Sequence, residues 1–119
     1  MALALQSVVA YVPLFGGQRE SDEPATFHIR VLGATAFRAF AARLAQASEN
    51  EGMTAQTADL YRELVAGQVA RIENLTVDGG PIETGAALCE HPAVPHALVV
   101  EIERAILDAS RISQDDEKN

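Results

Sequence analysis

The chain has one cysteine, no tryptophan and a single lysine, Lys118. A lone Cys89 cannot close an intramolecular disulfide, and a secreted domain this small usually needs such a staple, so a reducing cytoplasm is the expected compartment. Positive charge is scarce too. Nine Lys and Arg stand against seventeen Asp and Glu, and the net charge of -8 makes a field that repels phosphate backbones and anionic lipid surfaces. Neither nucleic acid nor membrane is an expected partner. No apolar run approaches the ~20 residues needed to cross a bilayer. The opening MALALQSVVA lacks the positive start of a signal peptide and places Gln6 and Ser7 before a β-branched run, so it reads as mature sequence. The Asn74-Leu75-Thr76 sequon has no meaning outside a secretory compartment. Aromatic residues make up only 5%, and cores built from small aliphatic side chains bury less area per residue. Stability is expected to be modest, or shared with a partner.

What is present is an ordinary globular composition, 48% hydrophobic and 22% charged over 119 residues, which fits one folded domain. Residues 8–15 are β-branched and aromatic, with Pro13 confining them to an edge or a strand end. Phe27, Ile29 and Val31 alternate with polar neighbours, as a half-buried strand requires. The two runs are expected to pair as an antiparallel hairpin. Over residues 34–47 the period becomes helical, with Phe37, Phe40, Ala41 and Leu44 on one stripe and Arg38 and Arg43 off it. After the polar run 48–52, Thr54 is positioned to cap a second helix reaching about Glu73, with Tyr61, Leu64, Val65 and Ile72 as its buried stripe. Gly67 inside that helix suggests close helix contact. Residues 75–77 and 81–82 flank Asp78-Gly79-Gly80, the makings of a tight turn or minimal hairpin. Thr84 is expected to cap a short helical turn ending near His91. Pro95 then opens the last helix, with Leu98, Ile102, Ala105, Ile106 and Ala109 as its core-facing stripe. The fold class expected is therefore α+β, mainly α-helical: an N-terminal antiparallel β-hairpin followed by three to four helices in a domain of residues 1–112. Residues 113–119 are expected to form a mobile acidic tail.

Sites of chemistry are few. Gly16-Gly17 and Gly79-Gly80 lack the Lys-Ser/Thr pair or third glycine of a phosphate-binding loop. Cys89-Glu90-His91 offers adjacent residues pointing in different directions, and no second cluster completes a zinc site. A Cys89 nucleophile with His28 or His96 would need an electropositive pocket that this net charge opposes. Glu101 and Glu103 face different sides of a helix and read as solvated. No catalytic residue, metal or cofactor is expected, and the chain is read as non-enzymatic. Surfaces remain. Tyr11, Leu14 and Phe15 lie on the expected edge strand, whose unpaired N–H and C=O groups suit strand addition. Asp115, Asp116 and Glu117 could meet a basic partner segment. These six are the candidate partner-binding residues.

Three segments, in order, resemble the tail assembly chaperones of long-tailed bacteriophages and prophages. The first is Tyr11-Val12-Pro13-Leu14-Phe15-Gly16-Gly17-Gln18-Arg19-Glu20 with Ala25-Thr26-Phe27-His28-Ile29-Arg30. The second is Arg71-Ile72-Glu73-Asn74-Leu75-Thr76-Val77-Asp78-Gly79-Gly80-Pro81-Ile82. The third is Leu98-Val99-Val100-Glu101-Ile102 with Ala105-Ile106, Ser110 and the acidic end Asp115-Asp116-Glu117-Lys118-Asn119. The Ala-rich stretch 34–69 carries no motif of that family. The resemblance implies a protein of the bacterial host cytoplasm, without catalytic residues, that binds the tape measure protein, keeps it soluble and helps recruit tail tube protein, with homo-oligomers a further possibility. It also implies a longer form made by frameshifting, of which this acidic end would mark the short form. The alternative is a small acidic inhibitor or decoy that occupies a basic surface of a partner protein.

Overall fold

Two runs of β-branched and aromatic residues, near either end of a polar loop, pair as expected. Strand β1 (Val8–Tyr11) lies antiparallel to β2 (Thr26–Arg30), with Val9 opposite Ile29 and Tyr11 opposite Phe27. The structure is a computed structural model that describes residues 7–49 and 54–118, with the backbone alone at 54 and 112–118. The opening residues 1–6, the run 50–52 after the first helix, the expected Thr54 cap and the side chains of Asp115, Asp116 and Glu117 lie outside the described residues.

The hairpin is completed by a third strand that the sequence reading places in a helix. Strand β3 (Val69–Glu73) pairs antiparallel with β2, giving the order β1-β2-β3 with β2 at the centre. The second helix therefore ends at Gln68 rather than near Glu73. A β-bulge explains the difference: His28 faces Arg71 while Ile29 faces Val69, which leaves Ala70 as the extra residue. Val69 and Ile72 both point into the core although they are three apart, a spacing that imitates a helix. The helix end is held by Arg30, whose guanidinium donates to the Gly67 carbonyl at 3.1 Å, and by the Gln68 amide, which donates to the Arg30 carbonyl at 2.8 Å.

Helix α1 (Ala34–Glu49) packs along α2 (Thr54–Gln68) through Phe40, Leu44, Ala47 and Leu60. The Phe40 and Tyr61 rings meet edge-on at 5.7 Å. Ala41 of the expected stripe is exposed, and buried Ala47 continues the stripe instead. The short hairpin β4 (Thr76–Val77) and β5 (Gly80–Pro81) turns through Asp78 (φ 52°) and Gly79 (φ 79°). This is the primed turn that a two-residue connection favours. Thr84 caps α3 (Gly85–Glu90), its hydroxyl accepting from the Ala87 N–H at 3.1 Å. Helix α4 (His96–Lys118) follows Pro95 directly and continues past Ile112, where the sequence reading ends it. No Gly or Pro stands in 112–118 to stop it.

The core lies between one face of the three-stranded sheet and helices α2, α3 and α4. Phe27 and Ile29 of β2 meet Val65, Leu88, Ile102 and Ile106, all almost fully buried. Ser110 is also fully buried, and both of its capacities are met: its hydroxyl donates to the Ile106 carbonyl at 2.8 Å and accepts from the Leu32 N–H at 3.1 Å. The opposite face of the sheet is polar, with Arg71 bonded to Glu73 at 2.9 Å and His28 beside both. The close helix contact expected at Gly67 is absent, since nothing would lie within 4 Å of a side chain there. It occurs at Gly85, where a Cβ would collide with the Val65 carbonyl oxygen and approach Val69 Cβ to 2.9 Å.

These two glycines should respond in opposite directions. Gly85→Ala forces the α2–α3 contact apart and is expected to destabilise the fold by about 1–3 kcal/mol. Gly67→Ala, in open space near a helix end, should stabilise it by about 0.5–1 kcal/mol. Urea denaturation midpoints of the two variants check both signs, and equal shifts would contradict the packing described.

Candidate functional site

Tyr11, Leu14 and Phe15 are brought together by a carboxylate far away in sequence. Glu101 on α4 accepts from the Tyr11 hydroxyl at 2.5 Å, the Leu14 N–H at 2.7 Å and the Phe15 N–H at 3.0 Å. It is not the solvated residue read from the sequence, because the i, i+2 spacing with Glu103 says nothing about a loop arriving from residues 12–15. Strand β1 also stops at Tyr11, so Leu14 and Phe15 leave the expected edge strand, Leu14 preceding and Phe15 opening a 3-10 segment, Phe15–Glu20. Pro13 has no N–H to extend the ladder, and Gly16 and Gly17, both near φ 66°, reverse the chain. Arg19 locks this loop back onto β1. Its Nε donates to the Val12 carbonyl at 2.9 Å and its guanidinium sits 5.6 Å over the Tyr11 ring.

The titration of the clamp follows from these contacts. Partial burial pushes the Glu101 carboxyl up, but the Tyr11 hydroxyl, the two N–H groups and the Arg19 charge outweigh it and hold the group below its ordinary value. Tyr11 is raised, by burial first and by the Glu101 carboxylate second.

Beyond the clamp the loop forms one wall of an apolar groove of about 340 Å³. Phe27 and Leu98 lie in its floor, the β4–β5 hairpin contributes Leu75 and Val77, and the α3–α4 connection contributes Val94 and Pro95. Phe15 lines it while 38% exposed, and Leu14, next to it, is 64% exposed. The sequence reading identified Leu14 and Phe15 but not the groove, since its walls come from segments 13–27, 75–78 and 93–98 that only the tertiary fold assembles. Tyr11 faces the other way: Val8 and Ala10 are exposed, whereas Val9 and Tyr11 turn inward and pack on the core. Asp115, Asp116 and Glu117 fall on the last turns of α4.

A second concavity, about 420 Å³ between α2, α3 and α4, brings Cys89, His91, His96 and Glu103 to a common lining. The sequence reading considered Cys89 with His91 and with His28 or His96; the structure adds Glu103 to this lining and leaves His28 on the polar face of the sheet beside Arg71 and Glu73. The chemistry of the concavity is muted. Burial pushes the Cys89 thiol up, ahead of the opposing Arg62 charge, and Sγ donates to the Arg62 carbonyl at 3.8 Å, so a thiol rather than a thiolate is held there. Burial also raises Glu103, against the lowering effect of His96. His91 Nδ1 accepts from the Ala93 N–H at 3.1 Å. Among the described residues no group of three or more His, Cys, Asp or Glu is placed to hold a metal ion. Among those residues, too, no helix is long and apolar enough to cross a membrane.

No protein-family model matches the chain, and neither a curated protein nor a solved structure matches it.

Glu101→Gln keeps the size of the side chain and removes its charge. It should lower stability at neutral pH by about 1 kcal/mol, two of the three bonds retaining an acceptor. Because the folded carboxyl titrates below its unfolded value, the stabilisation is present above the unfolded value, near pH 4.5. It is lost as pH falls through the folded one. The gap between wild type and variant should thus be constant from pH 6 to about 8 and close in acid, as read by thermal melts extended from pH 8 to below the unfolded value; a gap that widens in acid contradicts the clamp.

Proposed function

We propose that this protein is a tail assembly chaperone of a long-tailed phage or prophage. It works in the bacterial host cytoplasm without enzymatic activity, covers apolar stripes of the tape measure protein until the tube encloses them, and helps recruit tail tube protein. The observation that carries this reading is the groove with Phe15 in its wall and exposed Leu14 beside it, a preformed apolar surface on a strongly acidic protein. A long helix-forming client exposes apolar stripes before assembly, and a chaperone must cover them with contacts weak enough to be displaced. Many copies along one client supply the necessary avidity from individually weak sites. The negative charge of each copy keeps the loaded complex soluble.

Co-expression with a tape measure protein from the same genome tests the proposal. The soluble fraction of that client should rise several-fold, and removal of residues 113–119 should leave the effect intact. Unchanged client solubility overturns the chaperone role, and loss of binding on removing the acidic end points instead to a decoy of a basic surface.

A further inference from the structure

The groove has a chemical preference that its volume alone does not convey. At about 340 Å³ it sits at the bottom of the roughly 300–1,000 Å³ range of ligand pockets. That is room for one or two large side chains. Its lining is mostly apolar, with Gln18 and Thr76 the uncharged polar side chains, and among the described residues Asp78 is the only charged one lining it. The two ends of the neighbouring loop, Gln18 and Ala25, also line the groove and are tied together, Gln18 Oε1 accepting from the Ala25 N–H at 2.9 Å. The exposed acids Glu20, Asp22 and Glu23 lie on the loop so closed. Among the described residues none of these four carboxylates has an ion-pair partner. Arg19, the cation of the same loop, is already engaged by the Val12 carbonyl and the Tyr11 ring.

We propose that the groove docks a short segment of a partner polypeptide in which one or two large apolar side chains are flanked by lysine or arginine. The apolar side chains fill the space over Phe27 and Leu98 against Phe15, and the cation lies over Asp78 and the acidic loop. This deepens the chaperone reading, on which it rests for the identity of the partner. Charge complementarity selects this occupant over a second copy, because another chain of net charge -8 brings the same sign to the same rim. Desolvated apolar contacts at the floor supply most of the affinity, and the rim charges supply orientation and encounter rate.

The probe is a fluorescently labelled synthetic amphipathic peptide of leucine and lysine, titrated into the full chain by fluorescence anisotropy. Its companions are a scrambled peptide of the same composition and a peptide with every lysine replaced by glutamate. The first should bind, the scrambled one about tenfold more weakly, and the glutamate one not measurably. Phe15→Ala should weaken binding about tenfold. Asp78→Asn retains a residue type that tolerates the positive φ there, and should weaken binding about two- to threefold at low salt and not at high salt. Thr76→Arg, at an exposed lining position, should abolish binding while leaving the thermal melt unchanged, which guards against a Phe15 variant that misfolds. Amide shifts on peptide addition should centre on Val77 and Val94.

Equal affinity of wild type and the Thr76→Arg variant, equal affinity for the glutamate peptide, or shifts on the sheet face overturn the proposal. So does a free protein that sediments as a dimer and becomes monomeric with Phe15→Ala, since a second copy then fills the groove. No peptide binding alongside a solubilised tape measure protein removes the groove and leaves the chaperone role. Peptide binding without client solubilisation does the reverse.

Discussion

The Glu101 carboxylate is the contact on which the arrangement of the surface depends. It gathers three donors from the loop that follows β1, two of them backbone N–H groups that Pro13 and the reversal at Gly16-Gly17 leave without strand partners. Charged acceptors make the stronger class of hydrogen bond, and this one fixes the backbone at the residues whose side chains edge the groove. Nine residues further along α4, Ser110 catches the Leu32 N–H just beyond the other end of β2. Nine residues of helix span about 13 Å, close to the length of a five-residue strand. Helix α4 thus runs alongside β2 in the same direction, with Ile102 and Ile106 buried beneath the strand and a polar tie at each end. The apolar contacts supply the cohesion and the two ties set the register.

The parts of this arrangement legible in the sequence are those in which one period holds over many residues. Leu98, Ile102, Ala105 and Ile106 of the expected stripe face the core as their spacing requires, while Ala109 lies outside it and buried Ser110 continues the stripe instead; the Phe27 and Ile29 alternation forms the central strand, and Thr84 caps the helix it precedes. Periodicity misled at β3, because the bulge at Ala70 puts Val69 and Ile72 on one face with a helical interval. The turn signal at Asp78-Gly79-Gly80 was read as a tight turn or minimal hairpin and forms the hairpin, with the two positive φ values on Asp78 and Gly79. Gly67 and Gly85 show the limit of reading glycine from local context, since the need for a missing Cβ is set by a neighbour that the chain reaches only after folding. The candidate residues divide likewise. Leu14 and Phe15 were singled out through an edge strand that in fact stops at Tyr11, so the residues were found for a reason the fold does not bear out, whereas the roles of Glu101 and Glu103 depend on tertiary proximity alone.

Edge-strand chemistry decides how recognition is shared between β1 and the groove. The Val31 N–H bonds to the Ser7 carbonyl, and bonded and non-bonded pairs alternate along an antiparallel ladder. Val9 and Tyr11 therefore spend their main-chain groups on β2, and Val8 and Ala10 turn theirs outward. Past Tyr11 the edge closes at once, because the Val12 carbonyl is taken by Arg19 and Pro13 has no donor. The other edge of the sheet is shielded, with the Ile72 N–H bonded to the Glu83 carbonyl. Among the described residues the two that face outward give an added strand very few ladder bonds, each worth about 1 kcal/mol net. That is enough to assist a contact and too little to carry one. The short edge also protects an acidic, aliphatic domain from pairing with its own copies, which leaves the apolar groove as the surface where binding energy can be concentrated without that risk.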